Sequence, residues 1–355
     1  MTGAREASRR RVAVVAPNWL GDAVMALPAI ARIGAQASVA VLAPRYTARV
    51  FWRAPGVDEV WIDPPAGRLG RIRSRARALR AYGASAAVVF PPSLSSAIAP
   101  WLAGVRERVG YRSEARRPFL SDAPPAPPRT RHLSAAYLAL SDRVLTAPDA
   151  AGVAPRLHVS NADRSAVARR LQEAGVNGRY VVVVPGAAFG PAKSWPWERY
   201  RSLCSGLARE VFMVVTGGAG DRAVCERVAA GIPGMVNLAG GTSLGEFFAL
   251  AERADVLVAN DSGAPHVSAA LGTPTVVLFG STSPQWTAPL GEAVAVLQHV
   301  VHCNPCFRRS CPTQLECFNG IAVDDVAARV RGFLGPARGV PGFGAKPFAP
   351  SRELG

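Results

Sequence analysis

Residues 254–279 read ADVLVANDSGAPHVSAALGTPTVVLF, and this stretch decides the fold. Val256–Ala259 and Thr275–Phe279 are short, continuous apolar runs, as in strands that are buried on both faces of a sheet. Between them a turn, Asn260-Asp261-Ser262-Gly263, precedes small and apolar residues that predict a helix over Ala264–Leu271. A strand, a helix and a second strand in this order predict a parallel sheet covered by helices.

The same alternation extends toward the N-terminus. Further strands are predicted at Val12–Ala16, Val39–Leu42, Ala86–Phe90, Tyr180–Val184, Val211–Thr216 and Met235–Leu238. Further helices are predicted at Ala23–Ile33, Arg68–Ala81, His132–Leu145, Trp197–Ala208, Asp221–Ala230 and Ser243–Arg253. A proline-rich stretch and a loop over 146–159 interrupt the pattern, which predicts domains over 11–150 and 160–335 with flexible tails at 1–10 and 336–355. The predicted fold class is α/β, with two Rossmann-like, doubly wound parallel-sheet domains facing each other across a cleft.

The charge of the chain favours an anionic partner. Its 355 residues include 41 Lys and Arg against 25 Asp and Glu, a formal net charge of +16. Arginines crowd residues 68–80 and 106–117, either as a solvated basic face or as an attraction for an anionic acceptor. No RNP motif, helix-turn-helix signature or interleaving of aromatic and basic residues is present, so we predict no nucleic-acid partner.

Membrane and export signals are weak. No apolar run approaches the roughly 18 residues that a spanning helix needs. The N-terminus lacks the apolar segment and small-residue cleavage site of a secretory signal. We therefore expect a cytoplasmic protein.

Ligands of open α/β sheets bind beyond the carboxyl ends of the strands, which selects four loops here: 17–22, 185–196, 216–221 and 260–266. In the first loop, Asp22 is either a carboxylate that favours the start of a helix or a general base. A helix N-terminus would keep this carboxylate ionised but would make it a weaker base.

The other three loops carry further candidates. Lys193 is either a solvated lysine or a cation that neutralises a diphosphate. The glycines of 216–221 form either a plain tight turn or a close approach to a ligand. Ser262 and the helix N-terminus after it make an anion site, and His266 is either structural or a ligand contact. A hydrolase is excluded because no G-x-S-x-G elbow is present and His266 follows Ser262 by only four residues.

Taken in order, these loops resemble one family, the ADP-heptose:lipopolysaccharide heptosyltransferases, and most closely the heptosyltransferase II branch. The resemblance covers residues 11–330. The segments that carry it are NWLGDAVMALPAI (18–30), PPSLSSAIAPWLAGVRERVGYR (91–112), PGAAFGPAKSWPWERY (185–200), residues 237–290 and CNPCFRRSCP (303–312).

The resemblance implies a GT-B fold, with the acceptor on the N-terminal domain and the nucleotide sugar on the C-terminal one. It implies transfer of L-glycero-D-manno-heptose from ADP-heptose to the lipopolysaccharide inner core, with inversion. It implies that Asp22 is the general base, that Lys193 contacts donor phosphate and that Asp261 binds the heptose hydroxyls. The remaining implied contacts are Ser262, Gly263 and His266 to the diphosphate and Asp221 and Thr242 to the adenosine; Asn18 and Arg112 are candidate acceptor contacts.

Catalysis is expected to need no cofactor, because Lys193 and the helix N-terminus after Asp261 would stabilise the leaving ADP in place of a metal. The absence of an Asp-x-Asp metal motif agrees with this expectation. The implied acceptor carries carboxylates and phosphates and lies at the inner membrane, so peripheral attachment to its cytoplasmic face is an open alternative; no oligomeric state is indicated. Ala187 and Ala188 replace more polar residues found in parts of the family. A relative that transfers another sugar to another surface glycan, or a non-catalytic nucleotide-sugar-binding protein, therefore stays an alternative.

Four cysteines form a separate motif with the spacing C-x2-C-x4-C-x5-C. The spacing of the first pair is that of metal ligands and the second pair does not repeat it. A structural zinc site, reduced thiols and a disulfide are all compatible with this pattern. The motif consists of Cys303, Cys306, Cys311 and Cys317, whereas Cys204 and Cys225 fall in predicted helices and are expected in the core.

Overall fold

The computed structural model describes residues 9–147 and 154–335. The predicted tails therefore lie outside the described residues, except for Arg9 and Arg10, and so does part of the loop predicted over 146–159. The chain forms two compact units. The first contains the described residues up to His158 together with Asp261–Gly272 and Thr282–Val294. The second contains Val159–Asn260, Thr273–Ser281 and the described residues from Ala295 onward.

The described residues form strands that alternate with helices. The strands are β1 Arg11–Val15, β2 Ser38–Ala43, β3 Glu59–Ile62, β4 Ala86–Val89, β5 Glu107–Val109, β6 Tyr180–Val184, β7 Phe212–Val215, β8 Val236–Asn237, β9 Val256–Asn260, β10 Thr275–Phe279 and β11 Val294–Gln298. The helices are α1 Leu20–Gln36, α2 Ala48–Phe51, α3 Arg68–Tyr82, α4 Leu94–Leu102, α5 Leu133–Ser141, α6 Asn161–Glu173, α7 Trp197–Leu207, α8 Arg222–Ala229, α9 Leu244–Arg253, α10 Gly263–Ala270, α11 Pro284–Thr287, α12 Glu316–Asn319 and α13 Val323–Leu334.

The first unit is built on a five-stranded sheet with the order β3-β2-β1-β4-β5. Every neighbouring pair is parallel, and Val14 of the central strand faces Val41 on one side and Val88 on the other. The four apolar residues of β1 that follow Arg11 are fully buried, as expected for a strand covered by helices on both faces. Because the strands are parallel, the loops that follow them lie at one edge of the sheet.

The second unit is built on a six-stranded sheet with the order β11-β10-β9-β6-β7-β8. The pairs from β10 through β8 are parallel. Its core combines the apolar strands with large side chains from helices and one loop, namely Trp195, Tyr200 and Phe318, each exposed by 1% or less. The α/β fold class predicted from the alternation is confirmed in each unit.

Some elements were missed because they lack a clear apolar pattern. The edge strands β3 and β5 are short and carry charged residues, and α6 is strongly polar with only two buried side chains. The helix predicted over His132–Leu145 ends at Ser141 and continues as a 3-10 turn over Asp142–Val144. In the described part of the chain, no helix is both long and apolar enough to cross a membrane.

Candidate active site

The N-termini of α1 and α10 pack directly against each other in the first unit, although about 240 residues separate them in sequence. A Cβ on Gly21 would lie 2.8 Å from Cδ2 of His266, and a Cβ on Gly263 would lie 2.6 Å from Cβ of Leu20. Each glycine thus admits a side chain of the opposite helix. The structure therefore brings the loop that carries Asp22 together with the turn that carries Ser262, Gly263 and His266.

Asp22 lies in the first turn of α1 and is half-buried. The N-cap of this helix is Trp19, so Asp22 is a first-turn acid rather than the cap. Tyr137 of α5 is a neighbour: burial raises the pKa of its phenol well above the ordinary value, and the charge of Asp22 raises it further. A neutral phenol and a helix N-terminus therefore lie beside this half-buried carboxylate.

The α10 N-terminus presents the backbone N–H groups of its first turn. Ser262 is its N-cap, and its hydroxyl makes no capping hydrogen bond. The N–H groups of a first helical turn have no partner inside the helix, so they are available to an anion. His266 is 3% exposed, and its ring lies against Gly21. The histidine therefore supports the packing of the two helix ends.

Asp261 is held by two hydroxyl groups. The residue is 4% exposed. Its carboxylate accepts hydrogen bonds from Thr282 Oγ1 at 2.6 Å and from Thr287 Oγ1 at 3.5 Å. Thr282 follows β10 at the carboxyl end of the strand, so the loop after β10 belongs to the site as a fifth loop. The strand-end argument that selected four loops from the sequence would also have selected this one.

The two candidate acceptor contacts lie in loops at the carboxyl edge of the first sheet. Asn18 follows β1 and is exposed; Arg112 follows β5, and its side chain is exposed. Arg116 belongs to the arginines of 106–117, which were expected either in a solvated basic face or near an anionic acceptor, but it is fully buried. Its guanidinium donates to the carbonyls of Tyr111 and Pro91, and burial lowers its pKa to about 10. Arg116 thus holds the loop that presents Arg112.

In the second unit, Lys193 lies in a 3-10 turn, Pro191–Lys193, between β6 and α7. Its Nζ is 5.6 Å from the centre of the Phe189 ring, and Cζ of Arg309 is 5.3 Å from the same centre. The carbonyl of Arg309 also accepts a hydrogen bond from the backbone N–H of Ala192 at 3.0 Å. Two cations therefore lie near one aromatic ring. Arg309 joins the site from the segment 303–312, in which the sequence analysis had assigned no role to an arginine.

Asn260 fixes the loop that carries Lys193. It is fully buried at the end of β9. Its Oδ1 accepts hydrogen bonds from the backbone N–H of Trp195 and from the Tyr200 hydroxyl, both at 2.9 Å. Its Nδ2 donates to the carbonyl of Pro185 at 2.7 Å. Sequence reasoning placed Asn260 in the turn but gave it no role, because its partners lie 60 to 75 residues away.

Asp221 connects two further loops of the second sheet. Its carboxylate accepts a hydrogen bond from the backbone N–H of Gly218 at 2.8 Å. A Cβ on Gly186 would lie 2.1 Å from Asp221 Oδ1, so the first strand-end loop of this unit needs glycine at that position. Thr242 lies in the loop after β8 and is half-buried. Lys193, Asp221 and Thr242 thus all lie at the carboxyl edge of the second sheet.

Cys204 and Cys225 lie in the core, as expected, whereas the four cysteines of the motif differ in exposure. Cys204 and Cys225 are fully buried, and burial raises the pKa of each thiol to about 12. Cys317 is buried, whereas Cys303 is exposed. Within residues 9–147 and 154–335, no group of three or more His, Cys, Asp or Glu side chains is arranged to hold a metal ion.

Comparison with known proteins identifies the family. A model of glycosyltransferase family 9 (heptosyltransferase) matches residues 72–316. Lipopolysaccharide heptosyltransferase 2 of Escherichia coli K12 is 32% identical over 307 residues, which cover 81% of this chain and 88% of that protein. The chain belongs to glycosyltransferase family 9.

Further relatives agree with this assignment. Lipooligosaccharide heptosyltransferase 2 of Haemophilus influenzae is 30% identical over 306 residues, which cover 81% of this chain and 88% of that protein. The structure of E. coli ADP-heptose lipopolysaccharide heptosyltransferase II matches with a TM-score of 0.78 at 27% identity, over 91% of this chain and 98% of the other. The predicted family and the GT-B fold class are confirmed, and the family 9 chain is a transferase of the heptosyltransferase type.

Proposed function

We propose that this chain transfers L-glycero-D-manno-heptose from ADP-heptose to the inner core of lipopolysaccharide, with inversion at the anomeric carbon. Family membership supports heptosyl transfer. The observation that carries the mechanism is the packing of the Asp22 helix end against the α10 helix end. That packing joins a carboxylate that can accept a proton to an N-terminus that can hold an anion.

In the proposed reaction, an acceptor hydroxyl oxygen attacks the anomeric carbon and Asp22 takes the hydroxyl proton. The bond between the anomeric carbon and the diphosphate oxygen breaks, and ADP leaves with its electron pair. A positioned carboxylate contributes about 10²- to 10⁴-fold to such a step. Attack from the face opposite the leaving group inverts the anomeric configuration.

The leaving ADP gains negative charge, and four groups of this chain are suited to stabilise it. The first-turn N–H groups of α10 and the Ser262 hydroxyl are hydrogen-bond donors for phosphate oxygens. Lys193 and Arg309 are cations beside the Phe189 ring. Because these donors and cations can balance the developing charge, the proposed mechanism requires no metal ion.

Donor recognition is proposed to use the remaining strand-end loops. Asp261, oriented by Thr282 and Thr287, is suited to accept hydrogen bonds from heptose hydroxyls. Asp221 and Thr242 are assigned to the adenosine. Asn18 and Arg112 are assigned to the anionic acceptor. The acceptor is taken to lie at the cytoplasmic face of the inner membrane.

Asp22→Asn tests the proposal. We expect transfer to fall by about 10²- to 10⁴-fold, because the amide cannot take the proton. Calorimetry should show ADP affinity unchanged within about twofold, since Asn keeps the shape of the side chain. Transfer by Asp22→Asn at the rate of the original protein would contradict the general-base role.

Another donor sugar is the second candidate, and Ala187 with Ala188 favours it, because these side chains offer the donor no hydroxyl. Calorimetry with ADP-heptose, ADP, UDP-glucose and GDP-mannose separates the two. Binding confined to the ADP compounds and strengthened by the heptose supports the proposal. Preference for another nucleotide sugar keeps the fold and overturns the heptose assignment.

A further inference from the structure

Large apolar side chains are exposed at the carboxyl edge of the first sheet. Nine such side chains are exposed in the part of the chain that the structure describes, and four of them lie at this edge. They are Trp19, Tyr46, Ile62 and Leu69, with exposed fractions of 50%, 62%, 53% and 68%. Solvated apolar groups collected on one side of a protein indicate a surface that meets another apolar phase.

The topology explains why these residues are close together. Trp19 follows β1, Tyr46 follows β2, and Ile62 and Leu69 lie at the end of β3 and the start of α3. These three strands are neighbours in a parallel sheet, spaced about 4.8 Å apart. The apolar residues therefore line the same edge as Asp22.

Positive charge accompanies the apolar residues. Arg45, Arg68 and Arg71 are exposed in the same loops and at the start of α3. Burial raises the pKa of the Tyr46 phenol, and the charge of Arg71 is the strongest factor that opposes this rise, so the ring and the guanidinium are neighbours. The nearby carboxylate of Asp63 is already bound by Arg75, through hydrogen bonds of 2.7 and 2.6 Å.

We propose that this rim, defined by Tyr46, Leu69, Arg45, Arg68 and Arg71, docks on an anionic bilayer surface. Transfer of the exposed Leu69 side chain from water into hydrocarbon is favourable, and so is placing arginines beside lipid phosphates. Nucleic acid would satisfy the arginines and leave the aliphatic side chains in water. A second copy of the chain, meeting through the same patch, would place like charges against each other.

Docking by the rim would present the Asp22 edge of the sheet to an acceptor held in the bilayer. In this respect the inference rests on the proposed function. Vesicle binding itself is independent of any transfer reaction, so the two can fail separately.

The test is cosedimentation with vesicles of equal parts phosphatidylglycerol and phosphatidylcholine, and with vesicles of phosphatidylcholine alone. We expect binding to the anionic vesicles only. Arg68→Gln combined with Arg71→Gln should weaken it about 30-fold, and Tyr46→Ser or Leu69→Ser about tenfold each.

Two matched controls lie elsewhere in the same unit. Arg73→Gln with Arg77→Gln removes two exposed arginines from later turns of α3. Trp101→Ser with Leu102→Ser removes two exposed apolar side chains at the end of α4, which lies at the opposite edge of the sheet. Both controls should bind vesicles within about threefold of the original protein.

Three outcomes would overturn the proposal. The first is an equal loss of vesicle binding in the controls and the rim variants, and the second is no binding of the original protein to anionic vesicles. The third is displacement of the protein from vesicles by a single-stranded oligonucleotide that binds more tightly at the rim. Assays with a deacylated, soluble acceptor separate this inference from the proposed function. A rim variant should keep its transfer rate on that acceptor and lose it on the acceptor embedded in vesicles. Failure of the original protein on the soluble acceptor would instead contradict the proposed function.

Discussion

At the scale of single residues, Gly21 is a position of the candidate site where adding one methyl group should have a large effect. Gly21→Ala would place a methyl group 2.8 Å from the His266 ring, and both neighbouring backbones are fixed in helices. We expect a loss of about 1–3 kcal/mol in the free energy of unfolding and a larger proportional loss of transfer. Urea unfolding and initial rates measure the two effects.

A control for this substitution lies in α7. A Cβ on Gly206 would meet no atom within 4 Å, and the residue sits inside a helix. Gly206→Ala should therefore stabilise the protein, by at most about 1 kcal/mol, and leave transfer unchanged. If Gly21→Ala were as stable and active as Gly206→Ala, the two helix ends would not pack as described.

The buried hydrogen bonds of Asn260 give a second prediction for a single residue. Asn260→Ala would leave the backbone N–H of Trp195, the Tyr200 hydroxyl and the Pro185 carbonyl buried and without the side chain they bond. We expect a loss of about 2–4 kcal/mol in unfolding free energy and weaker ADP binding, because the same hydrogen bonds hold the Lys193 loop. Tyr200→Phe removes only one bond and should cost about 1 kcal/mol. Equal costs for the two variants would show that the loop does not depend on Asn260.

At the scale of elements, α9 begins with a capping box whose strength depends on pH. Ser243 Oγ accepts from the Glu246 N–H, and Glu246 accepts from the Ser243 N–H and from Arg170. Burial alone would raise the pKa of Glu246, but the bonds from Ser243 and the charge of Arg170 outweigh it, so the pKa lies below its ordinary value of 4.5. A carboxyl with a lowered folded-state pKa stabilises the protein fully above pH 4.5 and loses this effect as pH falls through the folded-state value.

The substitution Glu246→Gln tests whether the ionised Glu246 carboxylate stabilises the start of α9. At pH 7 we expect the variant to lose about 1 kcal/mol in unfolding free energy, because Gln keeps one capping bond and loses the charge. The difference from the original protein should shrink as pH falls below 4.5. Urea titrations across this range measure it, and a difference that stays constant with pH would contradict the role of the ionised carboxylate.

Elements also show which parts of the site a sequence can reveal. The buried strands are continuous apolar runs, so their ends, and hence the loops with Asp22, Lys193 and Asp261, could be located directly. The contact between Gly21 and His266 could not, because periodicity gives no order of strands and no partner for a helix end. Arg116 was grouped with arginines expected either in a solvated face or near an anionic acceptor. Its burial was missed because it depends on carbonyls of Pro91 and Tyr111 that no local pattern predicts.

At the scale of the whole molecule, chain connectivity couples the two units. The chain passes between them after residues 158, 260, 272, 281 and 294. α10 belongs to the first unit, yet the strands on either side of it, β9 and β10, are paired neighbours in the sheet of the second. A fragment that ends near residue 158 would therefore lack the helix that packs on the N-terminus of α1.

This connectivity predicts that the two units unfold together. When β9 and β10 separate, the paired strands that precede and follow α10 no longer hold its two ends. The helix α1 then loses the packing at Gly21 and Leu20. Hydrogen exchange followed by mass spectrometry in increasing urea should give peptides of β1 and β9 the same opening free energy and the same urea dependence. Asn260→Ala lies in the second unit, and it should lower the protection of β1 as much as that of β9. Protection of β1 that is unchanged in Asn260→Ala would show that the first unit is stable without the second, and that the helix carrying Asp22 keeps its structure when α10 is released.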